Sequence, residues 1–168
     1  MGSLLALNLS QRGYAVDVFE RRPDPRKHFK AGGRPINLAL SHRGWRALEA
    51  VGVAHEVSKW ALPMSGRQIH PLHQQERFAR YGKQDEAIYS VSRARLNLLL
   101  LERAAADDQV QLHFSHRALE PDLDDRKLRF DSQGEIIEKS YDWIFGTDGA
   151  FSALRTAMMK KPRFNYQQ

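Results

Sequence analysis

Near the end of the chain, Gly146-Thr147-Asp148-Gly149-Ala150-Phe151-Ser152-Ala153-Leu154-Arg155 follows an apolar run and sets one carboxylate between two glycines. A strand that ends in Gly-x-Asp-Gly and passes into a helix brings a carboxylate and accessible backbone to the C-terminal edge of a sheet. Open α/β sheets bind their ligands at that edge. A plain Asp-Gly turn would share the short core of this pattern, but not its full length. A second half-motif stands at the other end of the chain. Gly2 sits at the mouth of an apolar stretch, and Glu20 closes the Val- and Phe-rich run that follows. A glycine there lets a helix pack closely on a strand, and an acidic residue about 20 positions later accepts hydrogen bonds from a ribose. Together they read as the tail of a dinucleotide-binding unit. A surface glutamate after a strand gives the same letters, so the half-motif leaves both readings open. His113 and His116 are three apart but have no evident third ligand, so no metal centre is expected.

The elements that must position these residues follow from periodicity and punctuation. Leu4, Leu5, Leu7 and Leu9 predict an apolar helix ending near Gly13. Ala15 to Phe19 predicts a buried strand, and residues 21–36, with three prolines and a Gly-Gly pair, a loop. Ser41 can cap a helix with Trp45, Leu48 and Val51 on one face, ended by Gly52. Ile69 and Ile88 to Val91 are strand candidates. Ser92 opens a helix with Leu96, Leu99, Leu100 and Ala104 facing inward. Val110 to Phe114, Leu128 to Phe130 and Glu135 to Glu138 predict short antiparallel strands, with a turn at Ser132 to Gly134. Tyr141 to Phe145 predicts another buried strand, and a helix follows from about Ser152. The order is that of an α/β domain with inserted antiparallel β structure. A dinucleotide fold opens on a strand, however, and this sequence opens on a helix.

Composition bounds the partners. The 168 residues are long enough for one core, with 42% apolar and 27% charged residues. No run approaches the roughly 20 apolar residues of a membrane span, and no secretory leader is evident. The chain has no cysteine, which removes disulfides and thiolate metal sites. The net charge of +6 is scattered. Its one cluster, Arg21, Arg22, Arg26, Lys27 and Lys30, is broken by Pro23, Asp24 and Pro25, and charge alone supplies only non-specific attraction. Nucleic acid is not expected as a partner.

The longer motifs carry a resemblance. Gly146 to Arg155 resembles the Asp-Gly motif of FAD-dependent aromatic hydroxylases, and Phe19-Glu20-Arg21-Arg22-Pro23-Asp24-Pro25-Arg26 also looks like theirs. Four stretches are more selective and resemble the kynurenine 3-monooxygenase branch. They are Arg34-Pro35-Ile36-Asn37-Leu38-Ala39-Leu40-Ser41-x-Arg43-Gly44, Ser65-Gly66-Arg67-Gln68-Ile69-His70, Tyr81-Gly82 and Ser90-Val91-Ser92-Arg93-x-x-Leu96-Asn97. The match runs in order over nearly all of 1–160. It implies an FAD/NAD(P)-binding Rossmann-like fold of the para-hydroxybenzoate hydroxylase kind, truncated. Residues 1–168 would be a partial FAD-binding domain. Within it, about 60–91 would give strands to a substrate-binding sheet and about 110–140 a small β-meander.

The resemblance also implies roles. Gly2 would belong to the cofactor site, and the segment Phe19, Glu20, Arg21 and Arg22 would hold the adenosine half of FAD, the carboxylate suiting ribose hydroxyls and the guanidinium groups suiting phosphate. Ala39 would let the flavin approach, Arg93 would contact it from a helix start, and Ala118 would offer backbone. Asp148 would serve the cofactor from the Asp-Gly turn. Arg67 and Tyr81 would grip the amino-acid end of L-kynurenine, Arg67 by two parallel hydrogen bonds to the carboxylate. No general acid or base is assigned, because the amine already activates the ring.

The implied reaction is ring 3-hydroxylation with NADPH and O2 as co-substrates, through a flavin C4a-hydroperoxide. In relatives, the opening strand, its Gly-x-Gly and a later Gly-Asp motif lie outside the region matched. The 168 residues alone are therefore expected to hold flavin weakly and to lack turnover. The implied location is cytoplasmic for a bacterial source. For a eukaryotic source it is the mitochondrial outer membrane, through a C-terminal anchor. The competing readings are a hydroxylase of a phenolic acid, a non-catalytic fragment, and a basic nucleic-acid binder.

Overall fold

Helices are interspersed with runs of short strands in a computed structural model that describes residues 1–27, 36–83 and 86–160. Lys30, the Gly32-Gly33 pair, Arg34 and Pro35 of the motifs above lie outside the described residues. The order is α1 (Gly2–Ser10), β1 (Val16–Glu20), β2 (Asn37–Leu40), α2 (His42–Ala50), α3 (Ala54–Ser58), β3 (Leu62–Met64), β4 (Gly66–Ile69), β5 (Arg77–Arg80) and β6 (Ile88–Ser92). Then come α4 (Arg93–Ala105), β7 (Val110–Phe114), β8 (His116–Ala118), β9 (Lys127–Ser132), β10 (Glu135–Ser140), a 3-10 turn at Gly149–Phe151 and α5 (Ala153–Met159). Among the described residues no helix is long and apolar enough to cross a membrane.

The expected punctuation is present. Gly13 (φ 84°) and Gly52 (φ 73°) take the left-handed backbone that ends a helix without steric cost. Ser92 caps α4, its side chain accepting from the Arg95 N–H at 3.4 Å. Ser41 precedes α2 but makes no side-chain cap bond.

The core is one cluster where α1, α4, β1 and β7 meet the α2–α3 pair. Ala6, Leu7, Val53, Val57, Val91 and Ala104 are buried there. In α1 the buried stripe is Ser3, Ala6, Leu7 and Ser10, so small residues face the core. The spacing is that of one helix face, and small side chains let α1 lie close to its neighbours.

Among the described residues four small sheets complete the fold. They are β1-β7, β10-β9-β8, β2-β6-β3 and β4-β5. Two sequence expectations are corrected here. Val110 to Phe114 is not antiparallel: β7 runs parallel to β1, with Val16 opposite Val110 and Glu20 opposite Phe114. The antiparallel unit starts only at His116. An apolar strand reads the same in either direction, and α4 provides the crossover that a parallel pair needs. Tyr141 to Phe145 is also not a buried strand. Trp143 is 75% exposed and Phe145 53%, and no described strand lies beside the segment to take its backbone groups. The segment belongs to no strand among the described residues, and its Tyr141 N–H donates to the Arg126 carbonyl at 3.1 Å.

Candidate functional site

One edge of β1 pairs with β7, and the other faces a cleft of about 1590 Å³. Leu5 and Leu9 of α1 line it on one side, and residues 141–149 on another. Gly2 stands where α1 meets that second wall. A Cβ there would lie 3.0 Å from Thr147 Oγ1 and 3.9 Å from Val18. A side chain there would crowd Thr147, whose side chain would have to give by a few tenths of an ångström, so the glycine suits the close approach.

Phe19, Glu20, Arg21, Arg22 and Ala118 line the same cleft. Phe19 is held by aromatic packing, stacked on Phe130 at 3.9 Å and on His113 at 4.6 Å between ring centroids. Glu20 ends β1 and accepts the Arg22 N–H through Oε1 at 2.9 Å. Its Oε2 takes no hydrogen bond among the described residues. One carboxylate oxygen thus shapes the turn while the other faces outward. Ala118 lies in β8 opposite Phe130. Arg21, Arg22, Arg117 and Arg126 share the lining with the carboxylates of Asp17, Glu20, Asp142 and Asp148, Arg22 lying 3.9 Å from Glu20 and Arg117 3.6 Å from Asp131.

Asp148 also lines the cleft, but its carboxylate is partly committed. Oδ2 accepts the Ala153 N–H at 2.8 Å, tying the turn to the start of α5. Ser152 caps the same helix, accepting the Arg155 N–H at 2.9 Å. Arg155 in turn donates to the Ala150 carbonyl. The whole Gly146-to-Arg155 pattern therefore holds one loop shape, and the sequence could not reveal that the aspartate is its anchor.

Ala39 and Arg93 lie outside this lining, on β2 and at the start of α4. Ala39 sits in β2 opposite Ser90, and the Arg93 N–H donates to the Ile36 carbonyl at 3.2 Å. Arg93 opens α4 one turn before Asn97, which does line the cleft. Residues four apart share a helix face, so Arg93 stands on the cleft's side of α4.

Arg67 and Tyr81 belong to the β4–β5 hairpin. Arg67 lies opposite Ala79, and the Tyr81 N–H donates to the Ser65 carbonyl at 3.0 Å, extending the ladder by one step. Ser65, Arg67, Ala79 and Tyr81 thus point to one face. Arg67 and Tyr81 are diagonal neighbours, roughly 7–8 Å apart at the backbone. Neither the Arg67 guanidinium nor the Tyr81 hydroxyl has a partner among the described residues. Gly66 makes the hairpin possible, since a Cβ there would come within 2.5 Å of the Ala79 carbonyl.

One cluster was not foreseen. Asp17, in the middle of β1, accepts the Tyr141 hydroxyl at 2.6 Å, pairs with His113 Nε2 at 2.8 Å and lies 3.6 Å from Lys139 Nζ. Burial pushes the Asp17 carboxyl up, but the bonds from Tyr141 and His113 and the Lys139 charge outweigh it and hold the group below its ordinary value. Burial and the Asp17 carboxylate together raise the Tyr141 phenol. This cluster fastens the start of the 141–147 segment to β1. A polar residue inside an apolar strand was its one visible signal.

A family model described as an FAD binding domain matches residues 1–164. A protein of Flavobacterium johnsoniae named kynurenine 3-monooxygenase is 42% identical over 170 aligned positions, covering 100% of this chain and 37% of that protein. Proteins of the same name from Myxococcus xanthus and Drosophila melanogaster are 42% and 38% identical, again with 100% of this chain and 37% of theirs covered. The chain thus spans a little over a third of the length of these relatives. Among solved structures, the flavin-dependent monooxygenase PieE, in complex with FAD and substrate, aligns with a TM-score of 0.78 at 20% identity, over 94% of this chain and 30% of that one. The 2-methyl-3-hydroxypyridine-5-carboxylic acid oxygenase aligns with a TM-score of 0.73 at 24% identity, over 94% and 39%.

Proposed function

The chain belongs to the FAD binding domain family, and from that premise we propose that it is the flavin-holding part of a monooxygenase that hydroxylates L-kynurenine at C3, using NADPH and O2. Its fold is that of the FAD-binding domain of para-hydroxybenzoate hydroxylase-like monooxygenases, with separate antiparallel sheets. The observation that carries the reading is convergence. Gly2, the Phe19-to-Arg22 segment, Ala118 and Asp148 come from four distant parts of the chain and line one cleft.

The residues fit the group. Gly2 lets the start of α1 lie close to Val18 and Thr147, the helix-on-strand packing that a dinucleotide site uses. Glu20 Oε2 is open to ribose hydroxyls, and Arg21 and Arg22 offset phosphate charge. Bound FAD supplies the redox chemistry. The protein's own share is placement. Arg93, on the cleft side of α4, would reach toward the ring end, and Ala39, in β2 opposite Ser90, would leave room for close approach. Arg67 and Tyr81 present a guanidinium and a phenol on one hairpin face, which suits a carboxylate taken by two parallel bonds and a third from the hydroxyl. The 168 residues alone are expected to bind flavin weakly and not to turn over.

A substrate panel on the full-length enzyme that carries this segment tests the proposal. NADPH oxidation should accelerate with L-kynurenine and not with phenolic acids. Arg67→Ala should raise KM for kynurenine by roughly 10- to 100-fold, the worth of a hydrogen bond to a charged group, with a smaller change in kcat. Stimulation by a phenolic acid, or an unchanged KM in Arg67→Ala, would replace the substrate assignment.

A further inference from the structure

We propose that His116 reads the nucleobase of the dinucleotide, its Nε2 accepting a hydrogen bond from the adenine 6-amino group. The inference rests on the reading of the cleft as an FAD site, and it adds a residue outside the motifs that led to that reading.

Phe19 cannot take the base by stacking. Phe130 stacks on its ring with 15° between the planes and His113 with 12°. Two rings could not share one face at such short separations, so they cover opposite faces, and Phe19 has none left. His116 lines the same cleft and is half-buried. Its ring lies between 5.7 and 6.4 Å from those of His113, Phe19 and Phe130, tilted by 58° to 69°, and no described ring stacks on it. It thus packs against the side of the stack. Its orientation is fixed by a bond to the backbone, Nδ1 lying 2.7 Å from the Phe114 carbonyl. A carbonyl only accepts, so Nδ1 carries the hydrogen, and Nε2 of the neutral ring keeps its lone pair. That Nε2 takes no hydrogen bond among the described residues. Ser115, with φ 59°, turns the chain between Phe114 and His116 and donates its N–H to the Arg22 carbonyl at 3.0 Å. The imidazole is therefore tied to the corner that carries Glu20 and Arg22. A lone-pair acceptor at that corner needs a donor. Phosphate only accepts, and Glu20 Oε2 already suits the ribose hydroxyls. The donor that remains on the adenosine half is the amino group of the base.

The test uses the full-length apoenzyme that carries this segment, at about pH 8, where imidazoles are ordinarily neutral. FAD and its deaminated analogue, with hypoxanthine in place of adenine, are titrated in turn, and flavin fluorescence gives both affinities. The analogue puts an oxygen where the amino group was, so acceptor would face acceptor. The wild type should bind FAD roughly tenfold more tightly than the analogue, the cost of leaving one such group unmatched. His116→Leu should bind the two about equally. His116→Gln, whose amide oxygen can take the place of Nε2, should keep the preference. Equal affinities in the wild type, a preference that persists in His116→Leu, or one that is lost in His116→Gln would each overturn the role. Binding of neither dinucleotide by the wild type would sink the reading of the cleft as an FAD site, and this role with it.

Discussion

The β9–β10 hairpin and the 141–147 segment follow one another in the chain and are made of similar residues, yet only one is a strand pair. In the hairpin, Ser132 to Lys127 pair with Glu135 to Ser140 in unbroken register, and Phe130 is 1% exposed beneath them. In the segment, Trp143 and Phe145 remain largely exposed. Strand propensity is satisfied in both, so propensity does not decide the outcome. A partner for the backbone decides it. The hairpin brings its own partner through a two-residue turn, whereas the segment must receive one from elsewhere in the sheet.

The largest test of this contrast is paired truncation. Phe130→Ala removes a ring buried against Phe19 and should cost about 3–5 kcal/mol. Trp143→Ala should cost no more than about 0.5 kcal/mol, as exposed positions do. Chemical denaturation of both variants checks the difference, and equal losses would mean that the segment is as well packed as the hairpin.

The next test concerns the link between the two regions. Asp17 is held below its ordinary value of 3.8 mainly by Tyr141 and His113, against the opposing effect of burial. Its folded pKa is depressed, so its stabilisation is present above the unfolded value and is lost as pH falls through the folded one. Asp17→Asn should cost about 1–3 kcal/mol at neutral pH and flatten the fall in stability below about pH 4. An unchanged acid limb would show that the Tyr141 and His113 bonds contribute no net stabilisation.

The smallest effect lies in the turn. Gln133 (φ 56°) and Gly134 (φ 94°) both have positive φ, the backbone of a tight two-residue hairpin turn. Glutamine is a poor occupant of that conformation. Gln133→Asn should stabilise the chain by roughly 0.5–1 kcal/mol, read as a rise in Tm.

The same contrast explains what the sequence made legible. Gly13, Gly52 and Ser92 mark helix ends through local chemistry, so α1, α2 and α4 could be placed from their letters. The direction of β7 could not, because Val110 to Phe114 looks identical in a parallel or an antiparallel pair. Nor could the fate of Tyr141 to Phe145, which depends on a neighbour far away. The strand β2 was missed for a related reason, its four residues being too short a pattern to stand out. Of the proposed site, Gly2 and Glu20 are suggested by spacing, and Arg67 and Tyr81 only by family resemblance, since nothing local distinguishes them from surface residues. The Ala153 bond that occupies Asp148, and the Asp17 cluster, arise from folding and have no local motif.

The central claim is that Gly2, Phe19 to Arg22, Ala118 and Asp148 form one dinucleotide-binding cleft. Titrating FAD into the isotope-labelled chain and following backbone amide shifts tests it directly, even when binding is weak. The account predicts shifts concentrated at Gly2, Glu20 to Arg22, Ala118 and Asp148, lost in Glu20→Gln, with the β9–β10 hairpin silent. Shifts centred on that hairpin, or a pattern unaffected by Glu20→Gln, would contradict it.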